Sequence, residues 1–501
     1  MNQPAPEPCS ATRQFLDADH HLLIGGEWVA GQGRSIEIEN PARETMLTAI
    51  RAASLTQVDE AVAAARCALT GEWGWTSGRD RGVILNRFAD LLDANVDLIA
   101  EVMTLDNGSP LSSSRMVVQF LAAELFRYYA GWATKIAGES FTPNIGARPG
   151  QDFLVATVRD PIGVVAAIVP WNAPPGMIAM KMAPALAAGC TMVMKTAELA
   201  PLVGQIFARL WLEAGGAPGA FNLIHGHGED IGAAMAAHPG IDKIAFTGST
   251  EVGRKIVMAA TGNLKKVSLE LGGKSPVVIF PDADLKVAIP AAAMACYLST
   301  GQQCMAGSRL FVHADVHDEV ADGVAAFAKT LPIGDGMLPG TVLGPAISAR
   351  QKARIESYIV IAKDEGAVAA LETPEIGGPG HFIGPALFTE VKPGMRIEQE
   401  EVFGPVLSLI RFHEEDELLN AINGTSYGLS GSVWTSNIQT ALRVAKRIDS
   451  GQVGINVHAA MSPETPFGGN RQSGWGRELG RDGLDAYLKT KAISINLGPK
   501  S

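Results

Sequence analysis

The chain has 501 residues, 47% hydrophobic and 19% charged, with 41 Lys plus Arg against 52 Asp plus Glu and a formal net charge of −11. That length predicts about three domains at roughly 150 residues each, and the balanced composition excludes a mainly disordered chain or a coiled coil. The negative balance argues against broad attraction to nucleic acid or anionic membrane, and the longest apolar run, 287–298, is broken by Pro290 and falls short of the ~20 residues of a membrane span.

The first twenty residues carry Pro4, Pro6, Glu7 and Asp17 where a secretory signal needs a basic start and an apolar stretch, so a soluble, cytoplasmic protein is expected. At 56–70, Val58, Val62, Ala65 and Leu69 recur at helical spacing behind Thr56 and Asp59, a pair with capping-box spacing. Similar periodicity at 80–107 and 116–137 makes the first 140 residues read as helix-rich. The stretch 138–151 is dense in Gly, Pro, Ser and Asn, and 152–160 is strand-like, together an excursion from the body.

From 161 the pattern alternates. Strand-like runs at 164–169, 191–194, 221–224 and 243–246 are separated by helical runs at 175–188, 201–214 and 231–237 and followed by another at 251–260. Parallel strands need such crossovers, so a doubly wound nucleotide-binding sheet is expected. A second series, PVVIF at 276–280 followed by 309–312, 407–410 and 454–456, predicts a second α/β domain. A helical stretch at 482–488 and a strand-like piece at 492–497 follow.

Several side chains stand where chemistry could use them. Gly226, Gly228 and Gly232 in GHGEDIG compete with Gly248, Thr250 and Gly253 in GSTEVG for a phosphate-binding role. The second is better placed, because strand, Gly248-Ser249 turn and helix start offer free backbone N–H groups; simple turn glycines are the alternative. Lys195 ends a strand and Glu198 follows three residues later, a pair suited to an adenosine ribose or to an exposed salt bridge.

Cys304, in STGQQCMAGS, has small neighbours that allow close approach and is a candidate nucleophile. Of the five cysteines, Cys67, Cys190 and Cys296 read as inert core residues and Cys9 as a tail thiol. Glu270, in SLELGGK, is carried by an apolar strand to a glycine turn, where desolvation raises a carboxyl toward a general base; a sheet-edge residue is the alternative. His313 and His317 in HADVH have no third ligand in view and read as surface loop, so no metal is expected.

Seven motifs then appear in order: PWN at 170–172, KxxE at 195–198, FTGSTEVG at 246–253, LELGGK at 269–274, GQQC at 301–304, EEVFGPV at 400–406 and PFGGNRQSGWGRELG at 466–480. Together they resemble the NAD(P)-dependent aldehyde dehydrogenase superfamily from about residue 20 to residue 498. The resemblance implies a Rossmann-like NAD-binding domain at 1–140 and 161–271, an α/β catalytic domain at 272–472, and a small β oligomerisation element at 141–160 and 485–501, in a homodimer or homotetramer. It also implies roles. Cys304 attacks a small-molecule aldehyde, and the Asn172 amide with the Cys304 backbone N–H holds the oxyanion. The thiohemiacetal gives hydride to NAD, and Glu270 activates the water that hydrolyses the thioester.

By the same resemblance the cofactor contacts are Val169, Pro170, Trp171, Lys195, Glu198, Gly228, Phe246, Gly248, Ser249, Gly272, Glu401 and Phe403. Lys181 and Glu478 match a proton relay or, equally, a structural ion pair. The substrate wall comprises Ala173, Gly176, Met177, Met180, Leu298, Gln303, Met305, Met461 and Phe467. Relatives often carry bulky residues where this chain has Ala173 and Gly176, and an aromatic at Met180. A roomy apolar funnel is therefore expected, with no cation along it and a preference for aromatic, terpenoid or medium-chain aldehydes. A coenzyme-A-acylating relative and a non-catalytic binding protein on the same fold are the competing readings; Glu270 argues against the first, and intact Cys304, Glu270 and Asn172 against the second.

Overall fold

The four strands expected between 164 and 246 form one sheet in the computed structural model, which describes residues 6–144, 150–374 and 376–499. Its five inner strands run parallel in the order Lys266–Glu270, Lys243–Thr247, Val164–Ile168, Thr191–Lys195 and Phe221–Ile224. Antiparallel pieces cover both edges: Gly474–Trp475 beside Glu270, and the hairpin Leu22–Ile24/Glu27–Val29 beside Phe221–Ile224. The parallel strands are buried on both faces, which explains their continuous apolar runs.

The second series also forms its own sheet. Pro276–Ile279, Arg309–His313 and Val406–Phe412 pair in parallel, extended by Ala386–Thr389 on one side and by Ser430–Trp434 and Gln452–Ile455 on the other. A third sheet joins Leu488–Pro499, Gln151–Pro161 and Ser140–Phe141 in antiparallel register. Pro4, the 145–149 part of the expected excursion and residues 500–501 lie outside the described residues.

Several local expectations are corrected. The helix Leu55–Thr70 is capped by Ser54 with Gln57, two residues earlier than Thr56 with Asp59, because Ser54 has the extended backbone that lets its hydroxyl accept from the third helical N–H. The helix-rich opening also holds four strands between Leu22 and Arg51. The run 116–137 contains a π-helical segment, Val117–Ala123, and helix ends at Trp132. Helix Gly480–Asp485 gives way to strand at Leu488, earlier than expected, because that residue pairs with Pro161. HADVH is no surface loop: His313 ends a strand, while His317 is buried at the start of helix His317–Ala328 beside Asp318 and Arg411. Cys67 is exposed rather than core, since it lies on the solvent side of its helix.

The helix Pro174–Ala188 fixes the centre of the molecule. Every one of its residues is buried except Met177. Its Ala and Gly content lets neighbouring helices pack close, so apart from Lys181 the segment is apolar rather than amphipathic.

Candidate active site

The first sheet reverses its strand order between Val164–Ile168 and Lys243–Thr247, and such a switch opens a crevice at the carboxyl ends of the strands. A cavity of about 490 Å³ lies there. Pro170, Trp171 and Asn172 reach it from one strand, Thr247, Gly248 and Ser249 from the other, and Leu271 and Gly272 from the strand beyond. Cys304 and Met177 line the same cavity, facing Glu401 and Phe403 from the second sheet's side. Residues distant in sequence thus meet because two sheets present their loops to one space.

Cys304 sits on a loop held from several directions. Ser299 and Thr300 adopt left-handed backbone at φ 54° and 55°, a strain that persists only where surroundings over-determine it. Thr300 Oγ1 donates to Gly344 O at 2.8 Å, Gln302 Nε2 donates to Pro345 O at 3.1 Å, and Gln302 Oε1 accepts from Ile347 N at 3.0 Å. Asn172 Nδ2 donates to Gln302 O at 3.1 Å, tying the amide to the Cys304 loop. Asn107, which the sequence did not single out, donates to the carbonyls of Trp171 at 3.0 Å and Asn172 at 3.2 Å. Burial pushes the Cys304 thiol up to about 12, reinforced by the Glu401 and Glu270 carboxylates. The resting group is a neutral thiol.

Glu270 ends its strand between Thr247 and Gly474, so it is interior rather than an edge residue. Neither carboxyl oxygen has a hydrogen-bond partner among the described residues. Burial raises its pKa well above the ordinary range, and the Glu478 carboxylate adds to that. A Cβ on Gly468, at φ 154°, would lie 2.7 Å from Glu270 Oε1, so the opposing loop needs a glycine there. Lys181 and Glu478 form a fully buried ion pair, and Lys181 Nζ also donates to Thr247 Oγ1 at 2.7 Å, linking the pair to a cavity-lining residue.

On the opposite side, Glu401 Oε1 accepts from Gly273 N at 3.1 Å, and burial raises its carboxyl to about 7. A Cβ on Gly272 would come within 2.2 Å of Glu401 Oε2. Phe403 has φ 58° and stands edge-on to Trp171 at 5.4 Å. Gln351 donates to Phe403 O at 2.9 Å and Arg354 to Glu401 O at 2.8 Å. These two and Arg350 lie on helix Ala349–Asp364 and line the cavity; no motif signalled them, because helix periodicity carries no information about a distant loop. Arg350 and Arg354 thus border the cavity, Arg354 on the Glu401 side.

Lys195 Nζ is buried and donates to Glu198 Oε2 at 3.3 Å and Thr196 O at 2.9 Å; burial lowers its pKa, and Glu198 opposes the shift. Ser249 caps helix Thr250–Ala260, its hydroxyl accepting from Val252 N at 3.3 Å. Phe246 lies beneath that turn, where a Cβ on Gly248 would meet its ring at 2.5 Å. Val169 is buried and donates to Lys195 O at 3.1 Å. Gly228 begins a π-helical turn outside the cavity, and Gly232 is the glycine that approaches Lys195.

The substrate wall is only partly as expected. Met177, Met305, Met461 and Cys304 are partly buried against one core that contains Phe467, and of these only Met177 and Cys304 line the cavity. Met180 belongs to that core, 1% exposed. It does not reach the cavity because its helix is buried at every residue but Met177. Ala173 precedes the helix as its N-cap residue. Leu298 and Gln303 do not line the cavity; the Gln303 amide turns back to the carbonyls of Ala295 and Leu298. Nor is the space beside Gly176 open. A Cβ there would lie 2.6 Å from Leu121 Cδ2, supplied by the π-helical segment.

Comparison with known proteins agrees with this arrangement. A model of the aldehyde dehydrogenase family matches residues 28–493. An aldehyde dehydrogenase of Alternaria alternata is 43% identical over 479 residues, 95% of each chain. The structure of an aldehyde dehydrogenase from Bacillus cereus in complex with NAD+ superposes with a TM-score of 0.94 at 39% identity, covering 99% of this chain and 100% of that one. Betaine aldehyde dehydrogenase from Staphylococcus aureus, also in complex with NAD+, gives 0.94 at 36% identity and 98% of each. With the family match spanning almost the whole sequence and relatives this similar end to end, the chain belongs to the aldehyde dehydrogenase family.

Proposed function

We propose that this chain oxidises a hydrophobic aldehyde to the free carboxylic acid with NAD, Cys304 being the nucleophile and Glu270 the base. The observation that carries the reading is the Cys304 thiol and the Asn172 amide on one cavity, with the buried, unpartnered Glu270 carboxylate on the residue before Leu271, which also lines it. The residues present fit the dinucleotide. Gly272 leaves room for the Glu401 carboxylate, Lys195 and Glu198 offer a donor and an acceptor for vicinal hydroxyls, and Gly248 and Ser249 line the cavity at the start of helix Thr250–Ala260, the Gly248 N–H itself being donated to Glu270 O at 3.0 Å. Pro170, Trp171 and Phe403 complete that side. NAD, when bound, supplies the two-electron acceptor.

The Cys304 sulfur adds to the carbonyl carbon once its proton has gone to Glu270, the nearby buried base. Asn172 Nδ2 and the Cys304 N–H donate to the oxygen as it gains charge, a stabilisation worth roughly 3 kcal/mol per donor in comparable sites. After oxidation Glu270 takes a proton from the water that attacks the thioester, releasing acid and restoring the thiol. Between the two steps Glu270 must lose the proton it took from Cys304, and the buried Lys181–Glu478 pair, whose charges act on Glu270, supports a relay for it.

The apolar surfaces of Met177, Leu121, Met305, Met461 and Phe467 support aromatic, terpenoid or medium-chain aldehydes. The body divides into an NAD-binding part around the first sheet and a catalytic part around the second. Ile493, Ile495 and Leu497 with Leu154 and Val158 are exposed on the third sheet, which supports a homodimer or homotetramer, measurable by light scattering. A panel of aldehydes followed by NADH absorbance, with the acid identified by mass spectrometry, tests the reading. No NADH from any aldehyde, or product only with coenzyme A present, overturns it.

A further inference from the structure

His458 is absent from every motif discussed above, yet it joins the two loops that flank the thiol. Its Nε2 lies 2.9 Å from the carbonyl oxygen of Met305, the residue after Cys304. A carbonyl only accepts, so Nε2 carries the proton and donates. Nδ1 of the neutral ring then accepts from the Ser432 hydroxyl at 3.0 Å. Ser432 Oγ in turn accepts from Trp434 Nε1 at 3.3 Å. Ser432 is fully buried in the strand Ser430–Trp434 of the second sheet. A chain of donors therefore runs from that sheet to the nucleophile loop, and each member has only one consistent role.

The loop bearing His458 is shaped around this contact. Asn456 and Ala459 on either side have φ 53° and 52°, conformations that cost side-chain-bearing residues of order 1–3 kcal/mol each. Asn456 is locked by a paired exchange with Thr435, accepting from its N–H at 3.1 Å and donating to its carbonyl at 3.0 Å. On the receiving side, a Cβ on Gly273 would lie 2.5 Å from Cys304 O, and one on Gly307 would lie 3.3 Å from His458 Cε1. The segment 304–307 is thus clamped between Gly273 and the imidazole. Met461, three residues beyond His458, packs against the same core as Met305 and Cys304. Burial lowers the His458 pKa, consistent with a neutral ring.

We infer that His458 is a positioning residue for the reaction: through Met305 O it fixes the Met305–Ala306 peptide, one residue beyond Cys304, and so holds the thiol and the Cys304 N–H in register with the Asn172 amide. The inference rests on Cys304 as nucleophile, and Cys304→Ser retaining turnover would remove that reading whatever His458 does. His458→Leu deletes the donor, whereas His458→Gln keeps an N–H able to reach the same carbonyl. Since misplacement of a reacting group by about 1 Å costs on the order of 100-fold, His458→Leu should lower kcat roughly 10- to 100-fold. Alkylation of Cys304 by iodoacetamide, followed by peptide mass spectrometry, should change in parallel, while Kd for NAD by tryptophan fluorescence stays within about twofold. His458→Gln should recover most of kcat. A purely structural residue would instead shift kcat, NAD affinity and Tm together, without rescue by Gln. Ser432→Ala, which removes one hydroxyl, covers the case in which His458→Leu fails to fold and should give a smaller fall in kcat at unchanged Kd. Wild-type kcat in His458→Leu or in Ser432→Ala, or His458→Gln no better than His458→Leu, overturns the inference.

Discussion

Leu121 Cδ2 lies 2.6 Å from the point that a Cβ on Gly176 would occupy, so a π-helical segment and an enclosed α-helix share one surface beside Met177. The missing side chain at 176 is the space into which Leu121 fits. Gly176→Leu is then an overpacking change, costing roughly 1–3 kcal/mol, and should lower Tm and all activities together. Leu121→Ala should open the wall. Each methylene of a larger aldehyde that fills the gap contributes about 0.8 kcal/mol, so kcat/KM for a branched or aromatic aldehyde should rise about tenfold relative to propanal. An unchanged ratio across the panel would show that Leu121 does not shape substrate choice.

Cys304→Ser should abolish NADH formation while calorimetry still detects NAD binding, because a serine hydroxyl ionises far less than a thiol. In the wild-type protein without cofactor, the Cys304 thiol pushed up to about 12 is neutral below that pH. The thiolate fraction rises about tenfold per pH unit, so alkylation measured at the Cys304 peptide should climb to about pH 10 without levelling. A plateau near neutral pH would mean that a cation stabilises the thiolate in the free enzyme.

Glu270→Gln fills the same space but cannot accept a proton. Because deacylation needs that acceptance from water, whereas the Cys304 proton can also pass to solvent, the slow phase of a stopped-flow trace should fall roughly 100-fold and the NADH burst by clearly less. Equal loss of both phases would place Glu270 at the first step alone.

Glu401, raised by burial to about 7, is mostly protonated at about pH 6 and mostly ionised at about pH 8. If the ionised form accepts from ribose hydroxyls, Kd for NAD should fall across that interval. Glu401→Gln should bind more weakly than wild type at high pH and show a flat profile. A wild-type Kd independent of pH would argue against the contact.

Lys195 and Glu198 approach to 3.3 Å, with the carboxylate about one-third exposed. A 2′-phosphate brought beside Glu198 meets a like charge partly offset by Lys195, a penalty on the order of 1 kcal/mol or about fivefold in binding. Glu198→Gln should narrow the NAD over NADP preference in kcat/KM by about that factor. Equal use of both cofactors by the wild type would remove Glu198 from this role.

The parallel sheets and the cavity-lining motifs were legible in the sequence because local patterns carry them. Buried parallel strands are continuous apolar runs, PWN and LELGGK lie at strand ends or the loops that follow, and GQQC lies in the connection between helix Leu285–Tyr297 and strand Arg309–His313. What those patterns determine is which side chains stand at the crevice. They do not determine what stands opposite. Met180 has helical spacing suited to the cavity yet is core, since a helix buried on every face gives no direction to its periodicity. Leu121 filling the space at Gly176, Arg354 and Gln351 bracing the Glu401 and Phe403 loop, Asn107 behind Asn172 and His458 behind Cys304 are contacts between segments 47 to 153 residues apart. Only tertiary packing decides such contacts, because a hydrogen-bond donor or a methyl group matters by where it ends in space, and no local repeat encodes that position.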